Sequence, residues 1–124
     1  MIYLSEWAKY LLEKYFDPCG LKELLIEELE NELPRQLAKV TGRTENYWRN
    51  ILSKPGFKMV DAGLEFAVEL AKDRSEKFDK SFCEYLSNMV LKGSIVKYIV
   101  NYIKVFYSAS SKPPKWLLPE EPSS

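Results

Sequence analysis

The chain has 124 residues with 18 basic and 18 acidic side chains, so its formal net charge is zero. The length suffices for one domain that buries its own core. Zero net charge argues against a generally basic coat for nucleic acid. No apolar run is long enough to span a bilayer, and the opening MIYLSEWAKY lacks the basic and apolar regions of a signal peptide. We therefore expect a cytoplasmic protein that does not enter a membrane.

The cysteine and histidine content argues against a metal centre. Histidine is absent, and Cys19 and Cys83 are far apart and form no CxxC pair. We expect no metal, no cofactor and two free thiols. A Cys19–Cys83 disulfide is the alternative for a hyperthermophilic archaeal source, which the scarce glutamine and abundant lysine and glutamate favour.

Two helices are predicted in the first third of the chain. The first begins at a Ser5 cap and runs to about Phe16, where the sequence DPCG predicts a turn. Its predicted apolar side carries Leu4, Trp7, Tyr10, Leu11 and Tyr15. The second helix spans about Leu21 to Glu32, and its glutamates are interpreted as a solvated acidic face. Its predicted inward side carries Leu21, Leu24, Leu25 and Leu29.

The next stretch predicts two short helices joined by a tight turn, at about residues 34–53. Pro34 suits the first turn of a helix, and Gly42 suits the left-handed residue that follows one. Thr44 suits the cap of the second helix. Helical spacing predicts one buried face on that second helix, made of Trp48, Ile51 and Leu52. This is the helix-turn-helix plan.

From Leu33 to Lys54 the sequence resembles the helix-turn-helix of phage-repressor and Cro-like DNA-binding proteins. Ala38 stands where that family keeps a small residue at the helix crossing, and Gly42 stands at its turn glycine. The family's two apolar anchors on the recognition helix correspond to Trp48 and Ile51. Thr41 and Arg43 depart from the pattern, because the family usually has apolar residues beside the glycine. The resemblance implies DNA binding, and an ordinary stabilising hairpin is the alternative.

The rest of the chain, up to its proline-rich end, is also predicted to be helical. Lys54-Pro55-Gly56 breaks the chain before a helix at about Met59 to Lys72. Ser81 to Glu84 form a capping box for the next helix, which Gly93 ends. A nearly all-apolar helix follows at about residues 95–107, which we assign to the core, with a homodimer interface as the alternative. We expect an all-α, compact bundle of six to seven helices.

Residues 108–124, SASSKPPKWLLPEEPSS, are predicted to form a proline- and serine-rich tail outside a helical domain of residues 1–107. The tail contains an apolar cluster that is predicted to fold back onto the domain, because its exposure to water is unfavourable. Docking to a protein partner is the alternative. The cluster is made of Trp116, Leu117 and Leu118.

No catalytic constellation is visible. The chain has no histidine base, no glycine-rich phosphate loop and no nucleophile motif. We therefore expect a protein that is not an enzyme. Charge instead points to the motif: residues 1–33 carry three bases and eight acids, a net −5, whereas residues 34–58 carry six bases and one acid, a net +5. Such a segment suits local phosphate contacts, and pairing between the two segments is the alternative.

These features favour a double-stranded DNA-binding protein, a small transcriptional regulator that places the second helix of the motif in the major groove. The residues expected to contact base edges are Thr44, Asn46, Tyr47, Arg49 and Asn50. The residues expected to hold phosphates are Arg35, Lys39, Arg43, Lys54 and Lys58. The alternative is a non-enzymatic helical adaptor or an accessory subunit of a nucleoprotein complex, for example a viral protein acting on a host complex.

Overall fold

The computed structural model describes residues 2–75 and 80–109, and within these ranges it contains helices and no strand, which confirms the all-α prediction. The α-helices are α1 (Glu6–Leu11), α2 (Lys22–Thr41), α3 (Glu45–Leu52), α4 (Met59–Arg74), α5 (Lys80–Leu91) and α6 (Ser94–Ala109). A π-helical turn (Leu12–Phe16) and a 3-10 turn (Asp17–Cys19) join α1 to α2. None of the described helices is long and apolar enough to cross a bilayer.

The centre of the fold is α6, which contacts α2, α4 and α5. Its buried side chains are Ile95, Val96, Ile99, Val100 and Ile103. Gly63 of α4 permits the close approach of these two helices, because a Cβ there would lie 2.9 Å from two side-chain atoms of Ile99. The core assignment of this helix is therefore correct. Tyr102 and Val105 remain exposed on its outer side.

The first helical segment buries Leu11 and packs Leu4 and Tyr15 against the core, as predicted, but the other two residues of the predicted side are exposed. Trp7 and Tyr10, which we expected to face inward, are 47% and 46% exposed. Their rings stack with centroids 5.3 Å apart, and the Trp7 indole N–H donates to the Glu65 carboxylate at the surface. The predicted Ser5 cap is confirmed, since its hydroxyl oxygen accepts from the backbone N–H of Ala8 at 3.0 Å. The side chains that this segment buries are Ala8, Leu11, Leu12 and Phe16.

α2 is one continuous helix of 20 residues where two helices were predicted. The prediction that one helix ends near Glu32 and another begins at Pro34 is therefore wrong. A buried stripe at a spacing of four residues runs through the expected break and packs the whole helix onto the core. The stripe is made of Leu25, Leu29, Leu33 and Leu37. Leu24, also predicted to face inward, is 42% exposed.

Cys19 and Cys83 form a disulfide, so the prediction of free thiols is wrong. The bond joins the 3-10 turn to α5 across a sequence separation of 64, and the two Cα atoms are 5.3 Å apart. At the same junction the rings of Tyr15 and Phe82 lie 5.9 Å apart. The disulfide thus ties α5 to the first helical segment.

Two helix boundaries near the C-terminus differ from the prediction. The described part of α5 begins at Lys80, so Ser81 lies inside the helix and not at its N-cap. Gly93 has a left-handed φ of 71° and ends α5, as predicted. α6 continues to Ala109, two residues into the predicted tail. The remainder of that tail, including the Trp116-Leu117-Leu118 cluster, lies outside the described residues.

Candidate nucleic-acid interface

The turn between α2 and α3 has the predicted glycine and the predicted cap. Gly42 adopts a left-handed φ of 74°, and its N–H donates to the carbonyl of Ala38 at 3.1 Å. No atom lies within 4 Å of where a Cβ would stand, so the backbone conformation alone favours glycine here. The Thr44 hydroxyl oxygen accepts from the backbone N–H of Tyr47 at 3.0 Å and caps α3. The two helices are therefore joined by a three-residue turn, residues 42–44.

The inward side of α3 is anchored by Trp48, which is fully buried. Its indole N–H donates to the hydroxyl oxygen of Thr41 at 2.8 Å, and that hydroxyl donates to the Leu37 carbonyl at 2.7 Å. The polar residue before Gly42, a departure from the repressor pattern, thus supplies the acceptor that a buried tryptophan needs. Ile51 and Leu52 complete the buried face, as predicted.

A second link between the helices starts at Pro34. Proline has no N–H, so the carbonyl of Glu30, four residues earlier, loses its usual helical donor. The Arg49 guanidinium on α3 donates to that carbonyl at 3.0 Å through Nη1. Its Nη2 pairs with the Glu45 carboxylate at 2.8 Å. Arg49 therefore supplies the hydrogen bond that the Glu30 carbonyl of α2 lacks, while the rest of its side chain is exposed to solvent.

Two of the six basic side chains in the positive segment are paired with acids. Besides Arg49, Arg35 pairs with Glu32. The hydrogen bond between Arg35 and Glu32 lowers the pKa of the Glu32 carboxyl and raises the pKa of the Arg35 guanidinium. No acid among the described residues forms an ion pair with the other four bases, which are Lys39, Arg43, Lys54 and Lys58. Among the described residues, ion pairs therefore involve only two of the six bases of this segment.

The outward side of α3 is polar. Asn46, Arg49 and Asn50 are exposed on α3, as are Arg43 and Thr44 in the turn before it. Tyr47, the remaining predicted base-edge residue, is half-buried, and its ring meets Trp48 edge-on at 5.3 Å. The Arg43 guanidinium lies 5.1 Å from the centre of that tyrosine ring. Of the predicted phosphate contacts, Lys54 is half-buried, and the exposed ones are Arg35, Lys39, Arg43 and Lys58.

The α2–turn–α3 unit carries exposed hydrogen-bonding side chains and exposed cations. No group of three or more metal-ligating side chains occurs in residues 2–75 and 80–109. No family model matches the chain, and no curated protein or solved structure is significantly similar to it. The function is therefore argued from the geometry of this unit.

Proposed function

We propose that the protein binds double-stranded DNA with α3 as the recognition helix. The observation that carries the proposal is that α3 is amphipathic, with one buried apolar side and one exposed polar side. Trp48, Ile51 and Leu52 are buried, whereas Asn46 and Asn50 are exposed. α3 packs mainly against α2 across the glycine turn, which leaves its polar side open to a major groove.

The four bases that form no ion pair with a described acid lie on both sides of α3 in the chain. Lys39 and Arg43 precede it, and Lys54 and Lys58 follow it. Phosphate contacts of this kind fix the orientation of a protein on the duplex without reading its sequence. Thr44 caps α3 and the Tyr47 ring contacts Trp48, so both support the helix from which the asparagines project.

The salt dependence of DNA affinity tests the proposal quantitatively. Four phosphate contacts predict a slope of log K against log salt of about −3.6, or an affinity about 100-fold lower at 200 mM than at 50 mM salt. If Arg35 and Arg49 also released their acids for phosphate, the slope would be about −5.4. Fluorescence anisotropy with a labelled mixed-sequence duplex measures this slope.

A matched pair of variants controls the titration. The K39A/K58A variant should reduce the slope by about 1.8, because two phosphate contacts are lost. Lys97→Ala removes an exposed lysine from α6 and should leave the slope unchanged. Absence of binding at 50 mM salt or below would rule out the proposed function.

The second candidate, a protein-binding adaptor, is favoured by a groove between α1 and α4. The groove has a volume of about 360 Å³ and is lined by Trp7, Tyr10, Tyr15, Glu65 and Glu69, among others. The exposed Trp7–Tyr10 stack is fixed by the bond to Glu65. Rigid, partly exposed tryptophan and tyrosine side chains are typical of interface hot spots.

The Trp7→Ala variant tests this second candidate. If the groove binds a protein, a partner retained from a source extract by the wild-type chain should be lost by Trp7→Ala, since hot-spot truncation weakens binding by about 2 kcal/mol or more. Leu91→Ala, which truncates an exposed apolar residue on α5, serves as the control and should retain the partner. Equal retention by all three proteins would contradict an adaptor function of this groove.

A further inference from the structure

The Pro34–Arg49 relationship bears on which residues of α3 are free to read DNA. Pro34 lies inside α2 and leaves the Glu30 carbonyl without its helical donor. Arg49 bonds to this carbonyl from the neighbouring helix at 3.0 Å. Arg49 therefore replaces a hydrogen bond of α2 and links α3 to α2 at the same time.

Two hydrogen bonds restrict the orientation of the Arg49 guanidinium. Its Nη1 is bound to α2 and its Nη2 to Glu45, one turn earlier on α3. A bidentate contact with O6 and N7 of guanine requires a guanidinium that is free to turn into the groove. Arg49 is fixed by bonds to two helices, so reading guanine would require the release of these bonds.

Asn46 and Asn50 are differently placed. Both are exposed, and neither side chain forms a hydrogen bond with a described residue. A side-chain amide matches the donor and acceptor pattern of adenine at N6 and N7. Four residues of α-helix rise about 6 Å, which is close to two base-pair steps of B-DNA at about 3.4 Å each.

We infer that Arg49 is a positioning residue that fills the gap left by Pro34, and that Asn46 and Asn50 direct binding to duplexes with adenines about two base pairs apart. The second half of this inference rests on the proposed DNA binding. The first half concerns the free protein and is testable without DNA.

A double-mutant cycle tests the positioning role. Arg49→Ala should lower the urea midpoint of the wild-type protein. In the Pro34→Ala background the restored N–H satisfies the Glu30 carbonyl, so the same change should have less than half that effect. Glu45→Ala is the control, because it removes the ion pair of Arg49 but not the carbonyl contact, and its effect should not depend on residue 34.

An equal effect of Arg49→Ala in both backgrounds would overturn the positioning role. If Pro34→Ala does not fold, the comparison of Arg49→Ala with Glu45→Ala in the wild-type background decides the question. Filling the gap requires that Arg49→Ala lower the midpoint more than Glu45→Ala, because only the former leaves a carbonyl without a donor. Equal midpoints for the two variants would overturn it.

Selection from a randomised duplex library tests whether Asn46 and Asn50 recognise adenine. The wild-type protein should enrich adenine at two positions, and Asn46→Ala and Asn50→Ala should each lose about tenfold or more of the preference at one of them. Arg49→Ala should weaken binding to all duplexes alike. Binding without adenine preference overturns the role of the asparagines, and loss of a guanine preference in Arg49→Ala overturns the positioning role. If no duplex is bound, the proposed function fails while the cycle still decides the role of Arg49.

Discussion

Reduction of the Cys19–Cys83 disulfide is expected to destabilise the protein by about 4 kcal/mol, which is the loop-entropy value for a closed loop of this size. The bond spans a sequence separation of 64 and so includes α2, α3 and α4 within its loop. Without it, the unfolded chain gains the conformations that the loop excludes. The contact of Tyr15 with Phe82 is then the local packing that keeps the 3-10 turn near α5.

Urea unfolding with and without a thiol reductant measures this loss. With an m-value of about 2 kcal/mol/M, the midpoint should fall by about 2 M on reduction. The C19A/C83A variant should unfold near the midpoint of the reduced wild-type protein and should not respond to reductant. Thiol labelling of the unfolded protein should detect two cysteines only after reduction. A midpoint that reductant does not move would contradict the expected contribution of the bond.

The disulfide also bears on the predicted cytoplasmic location. Cytosolic thiols are kept reduced in most organisms, whereas intracellular proteins of hyperthermophiles are often rich in disulfides. A cytoplasmic protein with this bond is thus expected in such a source. Sequence spacing alone did not decide between free thiols and a Cys19–Cys83 disulfide, because it does not show whether two cysteines 64 residues apart meet in the fold.

Local rules predicted the turn at Gly42 correctly but misplaced the start of the helix before it. The turn depends on residues adjacent in sequence, namely a glycine in a left-handed conformation and a Thr44 cap. The proline rule placed a helix start at Pro34, because a proline inside a helix leaves a carbonyl without a donor. Here the donor is Arg49, 19 residues after Glu30 in the sequence. A contact between residues so far apart cannot be predicted from local sequence patterns.

The first helical segment shows a second limit of sequence patterns. Its aromatic residues and its aliphatic residues both recur at helical spacing, so the period alone does not identify the buried side. The fold buries Ala8 and Leu11 and leaves Trp7 and Tyr10 at the edge of a groove. The inward assignment of Trp7 and Tyr10 was wrong because tyrosine and tryptophan also stabilise surfaces through their polar atoms. The adaptor hypothesis gained its candidate surface from this difference.

Replacement of Trp48 by alanine is the second change with a large expected effect, a destabilisation of about 3–5 kcal/mol. Trp48 is fully buried, its indole N–H is bonded to Thr41, and its ring centre lies 6.5 Å from that of Phe57. Alanine would leave a large cavity between α3 and α2. Trp48→Phe retains most of the ring and should lose only about 1–2 kcal/mol through the missing hydrogen bond and the smaller volume. Asn50→Ala, on the exposed side of α3, is the matched control and should lie within about 0.5 kcal/mol of the wild type.

Stability and DNA affinity should both be measured on the Trp48 variants. The comparison shows whether the side chain that anchors α3 in the core is also needed for DNA binding. Trp48 belongs to the same buried cluster as the inward side chains of α6. A domain of ordinary stability, about 5–15 kcal/mol, should nevertheless still fold after a loss of about 3–5 kcal/mol. Far-UV circular dichroism should therefore remain helical for Trp48→Ala while duplex binding is lost, because α3 no longer has a fixed direction. A loss of stability below about 1 kcal/mol would contradict the anchoring role. The expected loss of stability with unchanged DNA affinity would show that a surface other than α3 binds the duplex.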